Sequence, residues 1–162
     1  MKNRNIRYTK TIPALVIAFL LGCFSLSPAA QANDRDDAQT IVGLWRVHYL
    51  AGGSEIFQSF DQWHSDGQEF EVANGVPGQM CQGTWQQKGG SRTVQLFHTG
   101  WNFDANGQLT GYFNETQINT VSRDGRTYQG TWDIKDYDTN GHQLDEVTGT
   151  LQATRLTVNT PL

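Results

Sequence analysis

The sequence predicts an all-β domain, an eight-stranded antiparallel up-and-down barrel, and three observations predict it. Seven turn signals punctuate the chain after residue 40: 52–53 (Gly-Gly), 65–67 (Ser-Asp-Gly), 74–78 (Asn-Gly-Val-Pro-Gly), 88–90 (Lys-Gly-Gly), 104–107 (Asp-Ala-Asn-Gly), 123–125 (Arg-Asp-Gly) and 138–141 (Asp-Thr-Asn-Gly). Gly, Asn and Asp supply the backbone freedom that tight hairpins require. The segments between these turns are rich in Thr, Val, Tyr, Phe and Trp, several alternate with period two, and none carries a 3.6-residue apolar stripe. Eight short strands in a meander expose two sheet edges unless the first pairs with the last, and closure into a barrel removes both.

The elements follow in order. Residues 1–32 form a leader: Lys2, Arg4, Arg7 and Lys10 are a basic start, Ile12 to Leu26 is apolar, and Ala30-Gln31-Ala32 is a small-x-small cleavage site. The expectation is a secretory signal peptide cut after Ala32 and an exported protein, periplasmic or extracellular. Leu20-Leu21-Gly22-Cys23 gives an alternative, a lipoprotein anchored to a membrane through Cys23. Residues 33–40 are polar and are expected to be a flexible N-terminal arm. The domain is expected over 41–162, with strands near 41–50, 55–64, 68–73, 80–87, 92–101, 108–121, 127–136 and 142–157.

Charge and cysteine content exclude several partners. The chain holds 12 basic and 16 acidic residues, and four of the basic ones but no acidic one lie in 1–32, so the remainder carries 8 against 16, net −8. Nucleic acid is excluded, because binding a polyanion needs clustered Lys and Arg. No membrane partner is expected unless Cys23 is lipidated. Beyond the leader the one cysteine is Cys81, so stability must come from a packed core and not from a disulfide.

The first strand carries Gly43-Leu44-Trp45 and the last carries Arg155. In a meander, Trp45 at the start of the first strand and Arg155 at the end of the eighth fall at the same end. This pairing resembles the closing signature of lipocalin-like (calycin) barrels. The resemblance implies structural closure by Gly43, Trp45 and Arg155, with the arginine over the tryptophan ring in a cation–π contact. It also implies a closed floor and an open mouth. The turns on the mouth side are the mostly longer ones, 51–54, 74–79, 102–107 and 137–141.

Alternation assigns the interior. If Trp45 points inward, so do Val47 and Tyr49. The more apolar parity of later strands adds Phe70 and Val72, Cys81 and Trp85, Val94, Leu96 and His98, then Tyr112, Asn114 and Ile118. Tyr128, Trp132, Ile134, Val147, Leu151 and Arg155 complete the wall. The second strand is ambiguous, with Phe57, Ser59, Asp61 and Trp63 set against Ile56, Phe60 and His64. An eight-stranded barrel is either filled by side chains or holds one small ligand.

Four groups placed toward the wider end are the candidate ligand-binding residues: Tyr49, His98, Trp101 and Tyr112. Aromatic faces give contact area, and a phenol or imidazole can orient a ligand. A cavity is expected between the 51–54 and 102–107 loops, with His98 facing into it. No metal site is expected, because His48, His64, His98 and His142 show no ligand-like spacing. No cofactor is expected. Asp61-Gln62-Trp63-His64-Ser65-Asp66-Gly67 is dense in polar groups, but its Ser-Asp-Gly is a turn. Asp104-Ala-Asn-Gly and Asp138-Thr-Asn-Gly are likewise too short for a calcium loop.

The leading functional expectation is a secreted or periplasmic lipocalin-like barrel that binds a small, largely apolar or aromatic molecule. The alternatives are a barrel enzyme of isomerase or cyclase type, similar to allene oxide cyclase, and a haem-binding barrel with His98 as axial ligand.

Overall fold

The structure is a computed structural model that describes residues 40–75, 80–88 and 91–160. The expected leader with its cleavage site, the Cys23 alternative and residues 33–39 of the expected arm lie outside the described residues. Eight strands follow in order: β1 (Gly43–Ala51), β2 (Ser54–Trp63), β3 (Gln68–Ala73), β4 (Met80–Gln87), β5 (Thr93–Phe103), β6 (Leu109–Val121), β7 (Thr127–Asp138) and β8 (Gln143–Leu156). Each pairs antiparallel with the next, and β8 pairs antiparallel with β1, which closes the barrel. No helix occurs among the described residues. The architecture is the expected eight-stranded antiparallel barrel and is consistent with a calycin-like fold.

The hairpin turns follow from their aspartates. Asp104 Oδ1 accepts the backbone N–H groups of Asn106 and Gln108, at 2.8 and 2.9 Å. Asp138 Oδ1 does the same for Asn140 and His142, again at 2.8 and 2.9 Å. These carboxylates shape hairpins, as their spacing predicts.

One end is sealed by the first and last strands. Trp45 sits opposite Arg155 in the β1–β8 register, and the Arg155 guanidinium carbon lies 4.1 Å from the centre of the Trp45 ring. The same guanidinium donates at 2.6 Å to each of three backbone carbonyls, Gly125, Val42 and Thr40. Trp45 Nε1–H donates to the Ile41 carbonyl at 2.7 Å. Gly43 has φ +138, and a Cβ there would stand 2.5 Å from Arg155 Nη1. The glycine of Gly-x-Trp is therefore required twice, for its backbone angle and for the space the arginine occupies.

Above this floor the core is aromatic. Trp45 meets Tyr128 edge-on at 4.8 Å between ring centres, Trp63 meets both Tyr128 and Trp85, and Tyr49 stacks on Phe57 at 4.2 Å. Val47, Val94, Leu96, Val121, Leu151 and Ala153 fill the gaps between the rings. On β2 the inward set is Ser59, Asp61 and Trp63, with Phe57 packed against the core, which resolves that strand's ambiguity.

Two strands turn their polar faces inward, contrary to the apolar-inward expectation. On β3, Glu69 and Glu71 are buried, while Val72 is exposed and Phe70 is only partly covered. On β6, Phe113, Glu115, Gln117, Asn119 and Val121 are buried, so Tyr112, Asn114 and Ile118 face outward. The physical reason is register. Glu69 and Glu71 pair with Trp63 and Asp61 of β2, whose side chains already point inward, and a one-residue slip would reverse both faces. Val147 has the predicted parity but is 37% exposed, because it stands toward the open end of β8.

Candidate functional site

The reversed strands place Glu69, Glu71 and Glu115 inside the barrel, where β2 adds Asp61, and none of the four is more than 2% exposed. Glu69, Glu71 and Glu115 surround one imidazole, His98, which is fully buried on β5. His98 Nε2 lies 2.8 Å from Glu115 Oε2. On the other side of the ring, Nδ1 lies 3.2 Å from Glu69 Oε2 and 3.5 Å from Glu71 Oε2. The network continues along β6 toward the Trp45 end. Gln117 Nε2 donates to Glu115 Oε1 at 2.7 Å and to the Tyr49 hydroxyl at 2.8 Å, and Asn119 Nδ2 donates to Gln117 Oε1 at 2.7 Å. Asp61 forms a separate branch, accepting Ser59 Oγ–H at 2.5 Å and the Tyr128 hydroxyl at 2.9 Å.

Two glycines make room for this cluster. A Cβ at Gly83 would stand 2.6 Å from His98 Cβ and 2.9 Å from Glu69 Oε2. One at Gly100 would stand 2.6 Å from the Phe113 ring. Glycine inside a strand often marks such a close approach.

Electrostatics follow from burial and crowding. Burial raises Glu71 well above the usual carboxyl range, and the neighbouring Asp61 raises it further. Burial also raises Glu69, although His98 opposes that. Burial and the nearby Glu69 push Asp61 up to about 7, against the pull of the Ser59 and Tyr128 hydrogen bonds. Burial alone would lower His98, but the charge of Glu115 and hydrogen bonds to Glu115 and Glu69 outweigh it and hold the imidazole well above its usual value. The surrounding carboxyls thus favour the charged form of His98. Glu69 Oε1 and Glu71 Oε1 are buried without a hydrogen-bond partner.

A cavity of about 260 Å³ lies over this cluster at the end of the barrel away from Trp45. Ile56, Phe57, Cys81, Phe113 and Ile134 give it apolar walls, Asn102 and Asp136 stand among its other lining groups, and Glu71 and Glu115 bring carboxyls to it. Burial pushes the Cys81 thiol well above its usual value, so it serves as an apolar wall group and not as a nucleophile.

The four sequence-predicted ligand residues separate into two pairs. Tyr49 and His98 are interior and belong to one network, linked through Gln117 and Glu115. Contrary to the sequence expectation, His98 does not line the cavity but lies behind Glu71 and Glu115. Trp101 and Tyr112 are on the outer face, because β5 buries His98 and β6 buries Phe113. There Trp101 is 60% exposed, Tyr112 meets it edge-on at 6.4 Å, and Tyr137 stacks on Tyr112 at 5.0 Å. Phase selection by apolar content missed Glu69, Glu71 and Glu115, and left Asp61 as one of two choices on β2. The signals that could have found them are the period-two runs Glu69-x-Glu71 and Glu115-x-Gln117-x-Asn119, together with the in-strand glycines. His64 is not near Asp61 chemically: Asp61 is engaged by Ser59 and Tyr128, and His64 packs on Phe70.

The chain matches no known protein family, no curated protein and no solved structure.

Proposed function

We propose that the barrel is an exported, lipocalin-like carrier that binds one small molecule, largely apolar or aromatic, in the cavity over the acidic cluster. The carrying observation is the cavity's make-up. Its walls are Phe57, Phe113, Ile56 and Ile134, while its polar groups include the carboxyls of Glu71 and Glu115. A site of this kind takes an apolar body and orients it by a few polar anchors. Buried acceptors at one end select a ligand with a donor there, such as a hydroxyl or an amine. At about 260 Å³ the cavity is smaller than most drug-sized sites, which begin near roughly 300 Å³, so the ligand has one or two rings.

The probe is 1-aminonaphthalene, an apolar bicycle with one amine and polarity-sensitive emission. It is expected to bind at one site and to lose at least about tenfold affinity, equivalent to roughly 1.4 kcal/mol, in Ile134→Trp, which fills the cavity. Trp101→Ala on the outer face leaves binding unchanged. Loss of binding in Trp101→Ala, with Ile134→Trp unaffected, would move the site to the outer wall. Native mass spectrometry of protein isolated from its own host then identifies the retained ligand.

A second reading, a barrel enzyme, draws on one contact. The 2.8 Å pair of His98 and Glu115 offers a proton donor and acceptor adjoining the cavity. The haem reading has no comparable support, since carboxyls stand at both ring nitrogens of His98.

A further inference from the structure

We propose that Glu71, His98 and Glu115 form a binding site for one divalent transition-metal ion of the zinc or manganese class at the cavity floor. Each residue offers one donor atom, and the three atoms lie within 4.8 Å of one another. They come from three separate strands, β3, β5 and β6, so no local spacing in the sequence announces them. All three are at least 98% buried and held by the rigid wall of the barrel.

The second observation concerns valence. Glu71 Oε1 is fully enclosed, accepts no hydrogen bond, and belongs to a residue that lines the cavity. An enclosed carboxyl oxygen with no partner is costly in a low-dielectric interior. A cation beside it removes that cost. The same holds for the cluster as a whole, in which three buried carboxyls face a single imidazole. One divalent ion compensates two of the carboxylates at once.

The donor set names the class of ion. One imidazole nitrogen with two carboxylate oxygens suits zinc or manganese, and offers no soft sulfur for copper(I). Three protein ligands leave a coordination position open, and Glu71 and Glu115 face the cavity, so that position is toward the bound small molecule. On binding, the ion takes the place of the proton on one ring nitrogen, and that proton, together with any held by the Glu71 carboxyl, leaves to solvent. The other ring nitrogen keeps its N–H and its carboxylate partner, an arrangement that fixes ring orientation in many metal sites. Hydroxyl and neutral amine groups can both donate to a carboxylate and coordinate a metal, so the ligand class above suits either state. The metal site nonetheless rests on the cluster's own geometry and not on that ligand.

The test is titration of the chelator-treated full domain with zinc chloride and, separately, manganese chloride, with no organic ligand present. Wild type is expected to bind one equivalent and to gain thermal stability with added metal. Glu71→Gln, which keeps the shape and removes only the charge and one donor, is expected to weaken binding by at least about 100-fold. His142→Ala is expected to bind as wild type does, since the exposed His142–Asp138 pair is the obvious adventitious surface site. Wild type without one-equivalent binding at millimolar metal overturns the site. So does binding that survives Glu71→Gln or disappears in His142→Ala. Failure of the small-molecule reading is registered by 1-aminonaphthalene and leaves these outcomes untouched.

Discussion

Trp45 has no solvent exposure, and it is gripped from four sides: Tyr128 at its edge, Arg155 over its face, the Ile41 carbonyl at its indole N–H, and Val47 beside it in the core. Removing it leaves a cavity at the floor and strips Arg155 of its platform. Trp45→Ala is expected to cost about 3–5 kcal/mol, measured by urea unfolding. Gly43→Ala is expected to be destabilising as well, because the new Cβ would need both a forbidden φ and the volume of Arg155 Nη1. An unchanged unfolding midpoint in Trp45→Ala would make the Gly-x-Trp triplet coincidental to the fold. This much was legible in the sequence, since one motif at each end of the chain carried it. The roles of Glu71 and Glu115 were not, because an acid on a strand is ordinarily a solvated group and only its partners across the barrel say otherwise.

At the scale of elements, β3 and β6 show why the interior was harder to read than the strand pattern. Turn residues located all eight strands to within a few positions, and those turns are local chemistry. Phase is not local. On β3 and β6 the more apolar face is the outer one, and the inner face was decided by pairing with β2 and β5. Gly83 on β4 is the hinge of that arrangement, because His98 Cβ, Glu69 Oε2 and the Phe97 carbonyl would all lie within 3 Å of an added methyl. Backbone and two buried side chains cannot all yield. Gly83→Ala is expected to cost about 1–3 kcal/mol by overpacking. Gly75→Ala, whose added methyl would meet only Phe57 Cβ at 3.7 Å, serves as the comparison and is expected to leave the thermal midpoint nearly unchanged. Equal midpoints for the two variants would contradict the tight packing of the cluster.

At the scale of the whole molecule, the acidic interior sets how stability responds to pH. Asp61 ordinarily titrates at 3.8 and is pushed up to about 7 in the fold. A carboxyl shifted upward stabilises the fold while protonated. That contribution is complete below 3.8 and is lost as the pH rises to about 7, an interval worth on the order of 4 kcal/mol. The groups facing Asp61 are Glu69, which raises it, and Ser59, Tyr128 and His98, which lower it. His98, raised above its usual value, acts in the same direction, since its imidazolium stabilises the fold at low pH and that is lost as pH climbs through the folded value. The barrel is therefore expected to melt at a higher temperature at pH 5 than at pH 8 when chelator is present. Asp61→Asn is expected to reduce that slope, with Glu69, Glu71 and His98 supplying the remainder. A wild-type melting temperature that is flat, or that rises, between pH 5 and 8 would contradict the buried charged cluster.

The bonds from Arg155 to the Val42 and Thr40 carbonyls join residues 113 and 115 positions apart. They fix the order in which the chain can fold. Synthesis delivers β1 first and β8 last, so the free edge of β1 and the ring of Trp45 wait uncovered until nearly the whole domain exists. No partial length of chain holds a closed sheet, and closure requires the most distant contacts in the sequence to form together. Folding dominated by such contacts is slow, on the order of milliseconds to seconds. Through that interval β1 is an open template for pairing with another chain. The same arginine that locks the finished barrel thus leaves the unfinished one at its most aggregation-prone until the final strand arrives.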